Sequence, residues 1–531
     1  MAMMRFRVPN PSEFDSRFWQ TAFLAGLDAL PIASVNSLKD DELVLEISSR
    51  DSCKLSLPWP TRDFGPIVLS TASLRTNQPA YHLLLELARG TLHRIRTDAF
   101  FWDRAGVRIP NAHTELIDQA ADVFVQAILE KDNPTLSDAL AQQSIDLAIS
   151  AARPLARAYV TQNLHARIRN NEKLQTLFGV RLPSNENWND LAVLLLPACN
   201  TIGIDLSIGS LAANQSHLHT PSLTIDQLRW AKSQNLRVVA GPLVSPTDIH
   251  VIRNSLSYPS FENLLNAILE KARNLISQCQ GLVQLWDACT GLNNCEATGL
   301  DDAQSLKLAC SIINLIHTVD PKTPIIFSVD LPAAENMRHG PHAINPVIFA
   351  ESLIRAHDRD IAGIGLELNL NYWPMGTLPM DLPAISDLID HWSIQNRSLL
   401  IRLTTPISPN SSSTPAGDPS ADQVVSHWRY PSNSTQSSAD ESDDDTAPEI
   451  SPSLFANTDQ NQCLSYAGTT PPSGLEILQL LLAKQNVDAI LWNQCWEDPK
   501  SPFKHSGLFG NDLSPRSLVE CMIRLRSQYL P

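Results

Sequence analysis

Hydrophobic positions from about residue 175 onward alternate between two patterns. Short apolar runs without proline are followed by longer segments with apolar residues three or four positions apart, which is the spacing of a helix. Eight such runs predict strands, over 178–182, 201–206, 236–241, 282–287, 324–330, 361–368, 398–404 and 488–493. Strands that alternate with helices are typical of an α/β protein with a parallel sheet. Eight of them predict a (β/α)8 TIM barrel, with a doubly wound open sheet as the alternative.

The part of the chain before this alternation has two further patterns. Residues 1–75 contain short strand-like runs separated by polar or proline-rich turns, which predicts a small β-rich unit, a sandwich in our interpretation. Residues 76–170 carry apolar residues at helical spacing, with helices predicted over 81–96, 113–130 and 136–162. The predicted domains are therefore 1–75, a helical segment 76–170, and a barrel over 171–531.

One segment after the seventh predicted strand breaks the alternation. Residues 409–450 are rich in Ser, Pro, Asn and Asp and include the acidic run Asp440 to Asp445. This composition offers no stretch that could form a core, so the sequence predicts a disordered loop at the barrel mouth. A role in binding a cation or a partner is the alternative.

The composition of the chain argues against some classes of function and predicts a cellular location. The net charge of −16 argues against a nucleic-acid partner, which requires a basic surface. The nine cysteines include no CxxC pair, which is typical of a reducing compartment, and Cys289 and Cys295 lack companions for a zinc site. No signal peptide or apolar span is recognisable, so we expect a cytoplasmic protein without membrane contact, metal or cofactor.

Several short motifs of the barrel region resemble family 10 glycoside hydrolases, the β-1,4-xylanase family. Trp286-Asp287-Ala-Cys-Thr-Gly291 resembles the fourth-strand ending Trp-Asp-Val-Val-Asn-Glu of that family. Further matches are Gly241-Pro-Leu-Val244, Gly363-Ile-Gly-Leu-Glu-Leu-Asn369, Leu491-Trp492 and Gly507 to Arg516. The N-terminal part, with Pro58-Trp-Pro60 and Glu86 to Gly90, looks like a planctomycete-type branch of family-10-like proteins with an extra N-terminal region.

The resemblance implies a barrel that handles a xylan-type polysaccharide, but both catalytic positions are changed. A retaining glycosidase needs two carboxyl groups about 5 Å apart. The position of the family's acid/base is Gly291, and the position of its nucleophile falls on Arg402. Of the family's sugar-binding residues, Trp492 would remain as the cleft floor, while Asn369 replaces a histidine.

Two hypotheses follow from these departures. The first is an inactive barrel that binds an oligo- or polysaccharide or a protein partner. The second is an active O-glycosyl hydrolase that uses displaced carboxylates, for which Glu367 and Asp330 are the candidates. Each acid could instead be a strand-end residue without a function, hydrogen-bonded to helix N-termini and water. Each aromatic residue could instead pack under a loop. The candidate binding residues are Trp492, Asn369, Tyr372, Trp373, Asp287 and Arg402.

Arg402 lies inside an apolar strand, where an unpaired charge is costly. Side chains alternate along a strand, so Leu400, Arg402 and Thr404 share one face. If that face points into the barrel, Arg402 must be paired. We therefore predict a bidentate ion pair with Glu367 on the neighbouring strand, or failing that with Asp330.

Overall fold

The structure is a computed structural model. It describes residues 2–407 and 472–531, apart from 12–13, 15, 27–30, 49–51, 63, 170–172, 185–187, 210–220, 259, 336–343, 373–375 and 499–500, and adds the pairs 428–429 and 463–464. The predicted disordered loop 409–450 lies outside the described residues, except for residues 428 and 429.

The described residues of the N-terminal region form two four-stranded sheets with one short helix among their strands, followed by three longer helices. The strand orders are β4-β5-β1-β8 and β3-β2-β6-β7, and both sheets and the helices share one hydrophobic core. The β-rich prediction for this region is confirmed. The elements are β1 (Ala2–Arg7), α1 (Ser16–Gln20), β2 (Phe23–Ala25), β3 (Pro31–Ile32), β4 (Ser34–Lys39), β5 (Glu42–Ile47), β6 (Lys54–Thr61), β7 (Gly65–Ser70), β8 (Tyr81–His82), α2 (Leu83–Arg104), α3 (Asn111–Leu129) and α4 (Pro134–Arg167).

The described residues after α4 include a closed barrel of eight parallel strands in the order β9-β10-β11-β12-β13-β14-β15-β18. The predicted (β/α)8 barrel is confirmed, and the open-sheet alternative is wrong. The strands are β9 (Leu177–Arg181), β10 (Thr201–Ile204), β11 (Arg237–Ala240), β12 (Leu285–Asp287), β13 (Ile325–Val329), β14 (Ile361–Asn369), β15 (Ser398–Thr404), β16 (Trp428–Arg429), β17 (Cys463–Leu464) and β18 (Val487–Trp492). Strands β16 and β17 form a separate antiparallel pair outside the barrel.

The barrel helices begin at residues that suit helix starts. Ser245, Asp301 and Ser473 each form a capping box, which satisfies backbone N–H groups at the first turn. The helices are α5 (Trp188–Leu195), α6 (Pro221–Ser233), α7 (Pro246–Ser255), α8 (Phe261–Cys279), α9 (Cys295–Thr298), α10 (Asp302–Val319), α11 (Pro346–Ala356), α12 (Leu382–Ser393), α13 (Gly474–Ala483) and α14 (Ser517–Tyr529). No helix in the described part of the chain has the length and apolar character needed to cross a membrane.

Two separate hydrophobic layers follow from the alternation of side chains along the barrel strands. A large outer core fills the space between strands and helices and contains Trp286 and Trp492. A small inner core lies within the barrel and includes Val239, Ile326 and Leu400. Arg402 shares the face of Leu400 and therefore points into the barrel, above this inner core.

The N-terminal region contacts the barrel loop that follows β14. Phe23 of β2 packs on Leu378, and the Val68 backbone N–H donates to the Pro379 carbonyl oxygen at 2.8 Å. These contacts place the N-terminal sheet beside a loop at the carboxyl ends of the barrel strands, where barrel proteins build their sites. The domain boundaries at residues 75 and 170 stay predictions.

The same loop is also held from helix α2. Arg94 donates two hydrogen bonds to the Asp381 carboxylate, at 3.0 and 2.6 Å. Asp381 caps helix α12 by accepting from the Ala384 N–H. One carboxylate therefore joins the N-terminal region to the start of a barrel helix.

Candidate functional site

A layer of polar side chains closes the top of the inner core at the carboxyl ends of the strands. Arg402 of β15 lies at its centre and is 1% exposed. Its Nη2 donates to Asp287 Oδ2 at 2.6 Å, and its Nε lies 3.5 Å from Glu367 Oε1. The Ser328 hydroxyl donates to the same Asp287 oxygen at 2.7 Å. The guanidinium therefore bridges carboxylates from two strands, β12 and β14.

The structure confirms that Arg402 is buried and paired, and it corrects the predicted geometry. The contact with Glu367 exists, but the hydrogen bond goes to Asp287, which the sequence reasoning did not consider as a partner. The predicted partners were Glu367 on the adjacent strand and Asp330 after β13, whereas the long side chain of Arg402 reaches β12, one strand farther round the barrel. The predicted bidentate fork is wrong. Arg402 Nε and Nη1 have no hydrogen-bond partner among the described residues.

The charge of Arg402 is maintained by these carboxylates. Burial lowers the pKa of Arg402, but the charges of Asp287 and Glu367 outweigh burial, and the pKa ends above its usual value. A guanidinium has no acceptor and stays protonated, so it supplies neither a nucleophile nor a base.

Glu367 accepts hydrogen bonds from two further side chains. Thr290 Oγ1 donates to Oε1 at 3.4 Å, and Asn493 Nδ2 donates to Oε2 at 3.1 Å. The amide of Asn493 also donates to Thr404 Oγ1 at 3.2 Å. Glu367 is thus the centre of a polar network that joins strands β14 and β15 to the segments after β12 and β18.

Asp330 directly follows β13 and is fixed through its backbone. Asn293 donates to the Asp330 carbonyl oxygen at 2.8 Å and accepts from the Asp330 N–H at 3.1 Å. Burial, and next the charge of Glu367, raise the pKa of Asp330 to about 6, against a hydrogen bond from the Leu331 backbone. Leu331 has a φ of +50°, a left-handed conformation that is uncommon for a non-glycine residue and is often found at functional sites.

Gly291 lies beside Asp330 in a conformation that suits glycine. Its φ is +67°, and a Cβ at this position would lie 3.1 Å from Pro246 Cγ and 3.9 Å from Asp330 Cβ. A longer side chain would therefore be strained by the backbone and would press on Pro246. The backbone conformation therefore disfavours a glutamate at residue 291.

Trp492 does not form the floor of a cleft, which corrects the sequence-based interpretation. Its side chain is 0% exposed, and its Nε1 donates to the Ser506 carbonyl oxygen at 2.8 Å. Its ring lies against Gly474 at the start of α13. Trp492 therefore faces the outer core. The next residue, Asn493, follows the inward face of Ala489 and Leu491, and this alternation was the signal that the sequence reasoning missed.

The other predicted binding residues differ in their location and in their access to the barrel mouth. Asn369 ends β14, and its Oδ1 is buried without a hydrogen-bond partner in the described part of the chain. Tyr372 donates to the Lys504 carbonyl oxygen at 2.6 Å and packs on Phe503, so it joins two loops. Trp373 lies outside the described residues. Asp287 is fully buried beneath Arg402 and is not open to direct contact.

Metal binding finds no support in the described residues. Among them, no group of three or more His, Cys, Asp or Glu side chains has an arrangement that could hold a metal ion.

Comparisons with known proteins give similarity to solved barrels only. No family model matches the chain, and no curated protein matches it. A GH10 endoxylanase from a sugarcane soil metagenome is 13% identical, with a TM-score of 0.41, over 68% of this chain and 99% of that one. Xylanase 10B from Thermotoga maritima is 12% identical, with a TM-score of 0.41, over 70% and 97%.

A third similar structure is xylanase 10B from Thermotoga petrophila in complex with xylobiose. It is 10% identical, with a TM-score of 0.44, over 69% of this chain and 96% of that one. At these sequence identities and TM-scores, the matches carry no argument about function. The barrel itself is established by the strand order. The planctomycete-type branch stays a prediction.

Proposed function

We propose that the barrel binds a saccharide at the carboxyl ends of its strands and does not hydrolyse it with the catalytic pair of family 10. The observation that carries this proposal is the buried Arg402, which bridges Asp287 and Glu367. A guanidinium at the nucleophile position cannot attack an anomeric carbon. The motif resemblance supports the saccharide class.

Gly291 supports the same proposal from the other catalytic position. It supplies no carboxyl group, and its left-handed backbone disfavours the return of one. Hydrolysis by the family mechanism needs both carboxyl groups. The loss therefore involves both partners of the pair.

Polar groups suited to sugar hydroxyls remain in the network around Glu367. Thr290, Thr404 and the amides of Asn369 and Asn493 can each donate or accept hydrogen bonds. Sugar hydroxyls have the same double capacity. Binding by hydrogen bonds from Asn369 and Asn493 is our expectation for this surface.

A second candidate function is hydrolysis by Asp330 and Glu367. The raised pKa of Asp330, about 6, favours it, because a buried acid next to a second carboxylate is a common acid/base arrangement. In this reaction Asp330 would protonate the leaving oxygen, and Glu367 would assist attack from the opposite side.

A glycan-array screen of the full chain beside a chromogenic xyloside assay separates the two candidates. We expect binding without turnover, and weaker binding by Asn493→Ala. Turnover that is lost in both Asp330→Asn and Glu367→Gln would establish the second candidate. Absence of binding to every glycan tested would refute saccharide binding.

A further inference from the structure

Among the described residues, the polar layer at the top of the barrel contains more carboxyl groups than cations. The inward-facing acids described there are Asp205, Asp287, Asp330 and Glu367, and the guanidiniums are those of Arg181 and Arg402. Arg181 pairs with Asp205, and Arg402 contacts both Asp287 and Glu367. Within the described part of the layer, two cations therefore face four acids.

Among the described residues, no Lys, Arg or His lies within ion-pair distance of the Asp330 carboxyl group. Burial, and next the charge of Glu367, raise the pKa of that carboxyl group. The backbone at Asp330 is held on both sides by the buried Asn293.

Buried polar atoms in the same layer give an independent indication. Nε and Nη1 of Arg402, whose side chain is 1% exposed, have no hydrogen-bond partner in the described part of the chain. The buried Oδ1 atoms of Asn369 and Asn493 also lack a partner among the described residues. Buried polar atoms are normally paired, so this layer fits a ligand that has both donors and acceptors.

We infer that this site selects a saccharide that carries a protonated amine, an amino sugar, which lies between Asp330 and Glu367. An ammonium group supplies three donors and a positive charge, and ring hydroxyls can accept from the guanidinium of Arg402. A uronic acid would add a further negative charge to the layer and is disfavoured. This inference rests on the proposed saccharide binding and specifies its ligand.

The charge state of Asp330 gives the inference a pH dependence. The groups that affect it are Glu367 on β14, with Arg402 behind that carboxylate, and the backbone N–H of Leu331. Because its pKa is about 6, Asp330 loses its proton as pH rises from about 5 to about 7. Affinity for an amino sugar should rise with pH until the sugar amine itself begins to lose its proton near neutral pH, whereas affinity for a neutral sugar should not rise.

Isothermal titration calorimetry of the full chain tests the inference with a matched pair of ligands. The probes are a glucosamine tetramer with free amines and the same tetramer with every amine acetylated, with a xylo-oligosaccharide as a second neutral ligand. We expect the free-amine tetramer to bind about tenfold tighter than the acetylated one, the equivalent of about one hydrogen bond to a charged group. Its affinity should increase between about pH 5 and about pH 6.

Asp330→Asn should remove about tenfold of the affinity for the free-amine tetramer and leave that for the acetylated tetramer within about twofold. The matched control is Asp226→Asn, which removes a carboxylate that is 60% exposed on α6 and should change neither affinity. Equal loss in both variants would show only a general attraction to an anionic protein and would overturn the inference.

The outcomes also separate this inference from the proposed function. Equal binding of the free-amine and acetylated tetramers, with no pH dependence, would overturn the amino-sugar inference but leave saccharide binding intact. Absence of binding by all three ligands would overturn both. If Asp330→Asn does not fold, the pH dependence of the affinity of the unmodified chain for the free-amine tetramer tests the amino-sugar inference.

Discussion

Replacement of Arg402 by methionine should strongly destabilise the fold. Methionine keeps most of the length of the side chain but removes the charge that is hydrogen-bonded to the fully buried Asp287. Ser328 would remain as a hydrogen-bond donor to that carboxylate. Loss of one partner of a buried ion pair typically costs about 3–5 kcal/mol, because the other charge is left in a low-dielectric interior. We expect a loss in the free energy of unfolding within that range.

A double variant identifies the source of the loss. Asp287→Asn in the Arg402→Met background removes the orphaned charge and should recover most of the stability. The control is Arg181→Met, since the ion pair of Arg181 with Asp205 is partly exposed, at 27% and 28% for the two side chains. Exposed pairs contribute about 0–1 kcal/mol, so this variant should lose little.

Urea unfolding followed by tryptophan fluorescence measures all four proteins, because Trp286 lies next to Asp287 in β12. A shift of the midpoint at constant slope reports a change in stability. The reasoning is refuted if Arg402→Met loses no more stability than Arg181→Met, or if Asp287→Asn gives no recovery.

Three further predictions concern other parts of the molecule. Burial, and next the charge of Asp387 on α12, raise the pKa of Asp98 to about 7. The folded state therefore keeps a proton that the unfolded state releases near pH 4. Stability should therefore fall as pH rises from about 4 to about 7, and Asp98→Asn should raise the urea midpoint relative to the parent at about pH 8 but not at about pH 4. Trp492→Phe should cost about 1–3 kcal/mol in urea unfolding through its lost hydrogen bond and packing, and glycan titration should find binding unchanged. Gly291→Glu should lose about 1–3 kcal/mol to backbone strain and should yield no xyloside hydrolysis, which a chromogenic assay would check.

The barrel could be predicted because its signals are local. Strand 398–404 has the predicted bounds, since its apolar run determines them within the segment itself. The alternation within β15 also put Arg402 on one face with Leu400 and Thr404, and the structure shows that this face points into the barrel. These inferences needed no knowledge of distant contacts.

Distant contacts account for what the sequence did not reveal. The pairing of Arg402 with Asp287 depends on how the closed barrel brings β12 within reach of β15, which strand alternation alone does not give. The orientation of Trp492 was misjudged because a family motif was followed in place of the inward series that ends at Asn493. The docking of the N-terminal sheet on the loop after β14 rests on contacts such as Val68 with Pro379, which no sequence pattern announced.

Proton NMR of a xylo-oligosaccharide mixed with the full chain tests the central claim most directly, because one sample reports both binding and cleavage. Saturation transfer from protein to sugar detects binding, and new anomeric signals from freed reducing ends detect hydrolysis. We predict saturation transfer with no new anomeric signals over a long incubation. New reducing ends that disappear in Glu367→Gln would contradict the claim, and so would the absence of saturation transfer to every oligosaccharide tested, amino sugars included.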